Sequence, residues 1–395
     1  MPMARNIILY DDPELRENLL PITFTRPIAD IRFGIFTIRE KWQRAFAGDY
    51  SYLTVDYLQP KYPVHEVNTL EDFYIAGNIC PTPALVKAIE KLPAATALTC
   101  KGVTLARHGK NADATVEIDE MPLAVNSLTD IFMLNEQALI DDYMTIARTA
   151  TSAPLSKTCT LIGDPCFPDG TPKIFIEPGA TVEAAILNVT KGPIYIGRDA
   201  EIMEGTCVRG PLALCEHSYI NMGSKIYGAT TIGPYCKVGG EVNNVVMIGY
   251  SNKGHDGFLG NAVIGEWCNL GANCVASNLK NDYSEIKLWN YPAHRFLRTG
   301  LQFCGLIMGD HTKAGINTMF NTATVVGVGC NIHGSGFPRN FVASFSEGGA
   351  SGFSDVSLNK FFDIARRVMA RRHVELTDTD IDIFNAIYAI AETYK

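Results

Sequence analysis

The stretch Ile196-Gly-Arg-Asp-Ala-Glu-Ile202-Met-Glu-Gly-Thr-Cys-Val208-Arg-Gly-Pro-Leu-Ala-Leu214-Cys-Glu-His-Ser-Tyr-Ile220-Asn-Met-Gly-Ser-Lys-Ile226-Tyr-Gly-Ala-Thr-Thr-Ile232-Gly-Pro-Tyr-Cys-Lys-Val238 decides how the chain is read. An aliphatic residue stands at every sixth position. Four residues after each comes Ala200, Thr206, Leu212, Ser218, Ser224, Thr230, Cys236 or Val242, mostly small. A period of six suits neither a helix nor a flat strand, but it suits a short strand and a turn repeated around a triangular prism. The aliphatic residue points into the narrow interior and the small one sits beside a corner. The spacing predicts a parallel β-helix of hexapeptide repeats.

The pattern resumes at Phe258, Ile264, Leu270 and Ala276, with weaker traces at Ile176–Ala180 and Val326–Gly329, so the solenoid is expected over 170–345. From Val238 to Phe258 there are twenty residues, not a multiple of six, and a bulge or loop must fall there. His255, flanked by Gly254 and Gly257, lies in that interruption. A second break, Leu279 to Gln302, carries charge and aromatics and reads as an arm projecting from the solenoid.

The first part of the chain has another rhythm. Strands at Asn6–Tyr10 and Ser51–Val55 alternate with helices at Thr37–Phe46 and Ala84–Lys91, which implies an α/β layer with a largely parallel sheet over 1–160. The segment Gly163–Gly170, rich in proline and glycine, reads as the boundary. Beyond the solenoid, Phe361–Arg372 and Asp378–Tyr394 have helical periodicity with Ser357 and Thr377 as caps. These helices, in 355–395, are expected to cap the solenoid's open end; Arg366, Arg367, Arg371 and Arg372 read as a solvated face.

Composition narrows the function classes. The 395 residues are 47% apolar and 19% charged, as expected of a soluble protein of two or three domains. The N-terminus reads as neither signal peptide nor membrane helix, so the cytoplasm is the expected compartment and no membrane partner is expected. Eleven scattered cysteines without a CxxC pair read as reduced core thiols, and a net charge of −8 argues against nucleic acid.

The segment Lys253-Gly-His255-Asp-Gly-Phe-Leu-Gly260, followed by Ile264-Gly-Glu-Trp-Cys-Asn269-Leu-Gly-Ala272 and Ser277-Asn278, resembles the active-site stretch of a known family. That family is the bifunctional N-acetylglucosamine-1-phosphate uridylyltransferase/glucosamine-1-phosphate acetyltransferases. They join a nucleotidyltransferase domain of Rossmann-like α/β fold to a left-handed β-helix acyltransferase, and they are homotrimers. The resemblance implies that His255 is the general base taking a proton from the sugar amine as it attacks acetyl-CoA. It also implies that Asn269 and Asn278, with Lys253, Gly254, Gly257 and Phe258 around the histidine, contact substrate or acetyl-CoA. Phe258 stands where the family has a tyrosine, and the family's site-closing lysine has no match at Ser284. The chemistry is consistent with the position: an amine must lose a proton to attack a thioester, and an imidazole, with its ordinary pKa near 6.5, accepts one. Glycine amides can approach the developing oxyanion.

The family's first strand leads into a glycine-rich triphosphate loop. Here Asp11 to Gly34 contains no such loop, and a basic set, Arg16, Arg26 and Arg32, is the candidate phosphate grip. Gly77-Asn78 resembles the family's Gly-Asp magnesium position with a neutral oxygen in place of the carboxylate; Asp11 and Asn135 are the other candidate ligands. The resemblance thus implies acetyl transfer to glucosamine 1-phosphate and uridylyl transfer from UTP with Mg2+, as in UDP-N-acetylglucosamine synthesis. Alternatives are a glucose-1-phosphate thymidylyltransferase-like enzyme, an acyltransferase whose first domain only binds nucleotide or sugar phosphate, and a non-catalytic trimeric module.

Overall fold

The computed structural model describes residues 5–395. Its first part is a six-stranded sheet with helices. Strand β1 (Asn6–Tyr10) is followed by helices α1 (Pro13–Asn18) and α2 (Ile38–Ala45), strands β2 (Asp49–Leu53) and β3 (Phe73–Ala76), and helix α3 (Pro83–Glu90). Strands β4 (Thr96–Cys100), β5 (Val103–His108) and β6 (Ala114–Glu117) precede α4 (Asp130–Met133) and α5 (Asn135–Ala147). Helix α2 begins where Thr37 and Glu40 form a reciprocal capping box, and it buries Trp42 against the sheet. Strand β2 starts two residues before the expected Ser51, because its register runs from Asn6 opposite Asp49 to Tyr10 opposite Leu53. The sheet order is β2-β1-β3-β5-β4-β6 with β1, β2 and β3 parallel. The strand order therefore reverses between β1 and β3, where open α/β sheets form ligand crevices at the carboxyl ends of their strands.

The rest of the chain to about residue 349 is a parallel β-solenoid with hexapeptide repeats. Ile196 pairs with Leu214 and Leu214 with Ile232, while Ile202, Ile220 and Val238 align on the next face and Val208 with Ile226 on the third. Each step is 18 residues, three hexads to a coil. All eight repeat residues from Ile196 to Val238 are at most 2% exposed. The coil then shortens: Val238 pairs with Lys253 and Val242 with Leu259. The inward residue is consequently Leu259, and the expected Phe258 lies half-buried on the outside, one residue out of register. Ile264, Leu270 and Ala276 do face inward. The solenoid also begins earlier than residue 170, since Thr160–Ile162 pairs with Ile186–Asn188 and the Gly163–Gly170 segment is a loop within it. The Leu279–Gln302 break holds an antiparallel hairpin, Lys287–Asn290 with Arg295–Arg298.

One solenoid face carries the first domain. Val246, Ile248, Val263, Ile307 and Val325 on that face share one buried apolar cluster with Phe24, Ile28, Ile131 and Phe132 of the α/β domain. The same cluster includes Phe361 and Phe384 of helices α6 (Leu358–Ala370) and α7 (Asp378–Ala391), capped by Ser357 and Thr377. A continuous core of this kind ties the three parts together. No helix among the described residues is long and apolar enough to cross a membrane.

At one corner a ladder of rings follows the coils: His217, Tyr235, Tyr250, Trp267 and His311, stacked at 4.2 to 6.0 Å. His311 ends it beneath Phe361 and Phe384, and its Nδ1 is buried without a partner among the described residues. Burial, then Lys313, Lys61 and Arg26, push its pKa well below 6.5. Below about pH 6.5 the unfolded chain takes up a proton that the folded chain refuses, so stability should fall with falling pH by up to about 1.4 kcal/mol per pH unit from this group. In His311→Phe that component is expected to vanish, which urea unfolding at pH 7.5 and 5.5 will check. An unchanged pH slope in the variant would assign the acid sensitivity elsewhere.

Candidate active site

The corner holding His255 is built from glycines and pinned from both sides. Gly257 has φ +117°, and a Cβ there would lie 2.1 Å from the Cys274 carbonyl oxygen of the following coil. A Cβ on Gly239 of the preceding coil would lie 2.5 Å from the carbonyl oxygen of Gly254. Only glycine lets these backbones stack so closely. Asn221 Nδ2 donates to the Gly254 carbonyl at 2.7 Å, a contact the sequence reading missed.

Lys253 occupies an inward slot in a column otherwise filled by residues such as Ile220, Val238 and Leu270, and is 1% exposed. Its Nζ donates to the carbonyls of Gly239 at 2.8 Å and His255 at 2.7 Å. Burial lowers its pKa to about 8. The lysine expected to face substrate thus holds the corner from inside. His255 itself is exposed. Its imidazole bonds to no described residue, and the backbone N–H groups of His255, Asp256 and Gly257 find no backbone acceptor among them. The result is a free imidazole beside open amide donors on a fixed turn.

The other residues around it divide between two faces. Phe258 and Asn278 lie together on one side of the corner: a Cβ on Gly260 would meet the Phe258 ring at 2.6 Å and Asn278 Nδ2 at 2.7 Å. Asn278 donates to Asn261 Oδ1 at 2.8 Å. Asn269 is exposed on the other face, in register with Asn252, whose Oδ1 is buried without a partner among the described residues.

The basic set of the first domain points inward. Arg16 is 3% exposed and bonds to Asp11, to Tyr57 and to the carbonyls of Thr23 and Arg26. Arg26, also 3% exposed, contacts Asp310 at 2.5 Å and Glu266 at 3.2 Å across the domain boundary. Burial pulls its pKa down, but Asp310 and Glu266 outweigh this and hold it above the usual arginine value. Arg32 donates to the carbonyls of Ile248 and Ile35. In this arrangement the three guanidinium groups are internal ties rather than a surface grip for phosphate.

The three candidate magnesium ligands do not converge either. Asp11 accepts from Arg16, from the Thr54 hydroxyl at 2.6 Å and from the Ile28 N–H at 2.9 Å; burial raises its pKa in spite of these partners. Asn135 is fully buried, accepting from the Gly34 N–H at 2.8 Å and donating to the Ala229 carbonyl at 3.0 Å. Asn78 donates to Asn126 near the surface. Among the described residues no three His, Cys, Asp or Glu side chains form a metal cluster. The donor set does not fit a hard divalent cation, which takes carboxylate and other oxygen ligands.

Residues 7–151 match the family described as sugar nucleotidyl transferase. The chain is 32% identical over 145 residues to a bifunctional sugar-1-phosphate nucleotidylyltransferase/acetyltransferase of Sulfurisphaera tokodaii, 36% of each chain. It is 33% identical over 95 residues to the bifunctional protein GlmU of Methanocaldococcus jannaschii, 24% of this chain and 22% of that one. The chain thus spans little more than a third of the first relative and less than a quarter of the second. Solved structures with some likeness include an Arabidopsis UDP-N-acetylglucosamine acyltransferase, at 11% identity over 53% of this chain and 74% of that one, TM-score 0.21. The polysialic acid O-acetyltransferase OatWY matches at 13% identity over 50% of this chain and 88% of that one, TM-score 0.22. Scores that low carry no functional weight.

Proposed function

We propose that the protein is a sugar-phosphate enzyme that transfers an acetyl group from acetyl-CoA to the amine of an amino-sugar phosphate such as glucosamine 1-phosphate. The observation that carries this reading is the unpartnered, exposed His255 on a turn fixed by Gly239, Gly257 and Lys253. In the reaction the amino sugar reacts as its neutral amine, and the imidazole of His255 takes the one proton that the nitrogen must lose as it attacks. The amine nitrogen bonds to the thioester carbon, and the charge on its oxygen is met by the open amides of the turn. Collapse breaks the carbon–sulfur bond, and the imidazolium returns the proton to the departing thiolate of CoA. Asn269 and Asn278, on faces either side of the corner, supply amides for substrate in this scheme, and Phe258 an apolar wall. The homotrimer implied by the resemblance belongs to the same reading, with a neighbouring copy enclosing the corner.

For the first domain, the family match to residues 7–151 supports binding of a sugar phosphate or nucleotide. Uridylyl transfer from UTP is the finer reading carried by the resemblance to the bifunctional family. The internal commitments of Arg16, Arg26, Arg32, Asp11 and Asn135 favour a domain that binds without transferring, and no step through magnesium is derived. The test is incubation of the full-length protein with acetyl-CoA and glucosamine 1-phosphate, with and without UTP, followed by mass because exposed Cys207 reacts with thiol reagents. An N-acetylated sugar phosphate is expected. No acetylation of glucosamine 1-phosphate or galactosamine 1-phosphate would remove the reading.

A further inference from the structure

Two side chains from different coils hold successive carbonyls of the His255 corner. Lys253 stands in the inward column Ile220, Val238, Lys253, Leu270, Ala314 and Ile332, where every other residue is apolar. Burying an ammonium there is costly, and an aliphatic residue would serve the solenoid at least as well. What the lysine adds is its pair of bonds, to the Gly239 carbonyl of the preceding coil and to the His255 carbonyl. Asn221 lies one coil further back and reaches the Gly254 carbonyl past Gly239, which stands between them and has no side chain. Both peptide units are trans. In a planar trans peptide the N–H points opposite to the carbonyl. The inward pull on the His255 carbonyl therefore sends the Asp256 N–H outward, and the hold on the Gly254 carbonyl turns the His255 N–H away from the preceding coils.

We infer that Lys253 and Asn221 are positioning residues for acetyl transfer, which together aim the Asp256 and His255 N–H groups at the space beside the imidazole where the thioester oxygen acquires its charge. The inference rests on the proposed acetyl transfer and adds to it the residues that set its oxyanion donors. Lys253 supplies charge as well as direction. Burial lowers its pKa only to about 8, so the amine is an ammonium at neutral pH. A cation on a carbonyl oxygen draws electrons through the peptide and strengthens the N–H on its far side. The uncharged thioester carbonyl gains little from a stronger donor, whereas the oxyanion gains much. Lys253 is sealed inside the solenoid and Asn221 acts through the Gly254 carbonyl, so their loss should appear in kcat and leave KM in place.

The test compares the full-length wild type with Lys253→Met and Asn221→Ala, using acetyl-CoA and glucosamine 1-phosphate. Methionine fills the inward slot without a donor, so the His255 carbonyl must turn outward to find water and carry the Asp256 N–H inward. Lys253→Met is expected to lower kcat about 100-fold, the cost of one lost oxyanion donor, with both KM values within about twofold of the wild type. Asn221→Ala removes a side chain bonded only to Gly254 among the described residues; it should lower kcat about 10-fold, again without a change in KM. If Lys253→Met does not fold, Asn221→Ala carries the same test. Crystal structures of the wild type and Lys253→Met read the corner independently of activity, with the His255 carbonyl expected inward in the first and outward in the second. Wild-type kcat in either variant, a loss carried wholly by KM, or a His255–Asp256 peptide left unturned in Lys253→Met would overturn the inference. A wild type that acetylates no amino-sugar phosphate would instead remove the acetyl-transfer reading, and the direction of that peptide would still decide whether Lys253 sets the corner.

Discussion

Replacing His255 with alanine is expected to slow acetyl transfer to glucosamine 1-phosphate by about 10²- to 10⁴-fold, the usual contribution of a positioned general base. The fold should survive, because the side chain is exposed and bonds to no described residue. The corner backbone is held by Lys253, Asn221 and the flanking glycines, none of which needs the imidazole. The loss should therefore appear in turnover while the unfolding midpoint stays within about 0.5 kcal/mol of the wild type. Turnover is measured by product mass, and stability by urea unfolding of the same preparation. Wild-type turnover in the variant would make the histidine a surface residue and return the solenoid to an assembly role.

The second large effect is expected at the domain boundary. Asp310 is 3% exposed; one oxygen accepts from Thr25 and Arg26, and the other accepts from the Glu266 N–H at 2.8 Å. Arg26→Ala leaves that carboxylate buried without its counter-charge, a loss of about 3–5 kcal/mol. Glu266 is partly exposed and can turn to water, so it contributes little to the cost. Arg26→Met combined with Asp310→Asn removes both charges and should recover most of the loss, because the cost lies in the uncompensated partner. A single Arg26→Ala variant as stable as the wild type would mean that the pair is not what ties the α/β domain to the solenoid.

The hexad spacing was enough to read the solenoid, since each aliphatic residue from Ile196 to Val238 reports directly on the period of the coil. Where the coil shortens, the spacing loses its meaning: Phe258 and Leu259 are equally apolar, and only the stacked glycines decide which of them faces inward. Lys253 could not be seen as an interior residue for the same reason. In the first domain, strands and caps were legible from local patterns, whereas the destinations of Arg16, Arg26 and Arg32 were not. Their acceptors include Asp310 and the Ile248 carbonyl, more than 200 positions away for Arg26 and Arg32, and no local signal marks an arginine as internal. The hairpin was visible as an interruption, but nothing in its residues said that it would turn back upon Asn18 of the first domain, to which Asn290 donates at 2.8 Å.

Arg26 also sets a timetable. Its counter-ion is separated from it by 284 residues, and the face that covers Arg32, Phe24 and Ile28 comes from coils made after the α/β domain has left the ribosome. During synthesis the first domain must wait with the Arg26 guanidinium bonded only to the Ile22 carbonyl, without a counter-charge, and with an uncovered apolar side until the strands around Ile307 and Val325 emerge. Its final closure is a late event, and a nascent chain arrested before Asp310 should be more readily cut by protease within the first domain than the same domain in the finished protein.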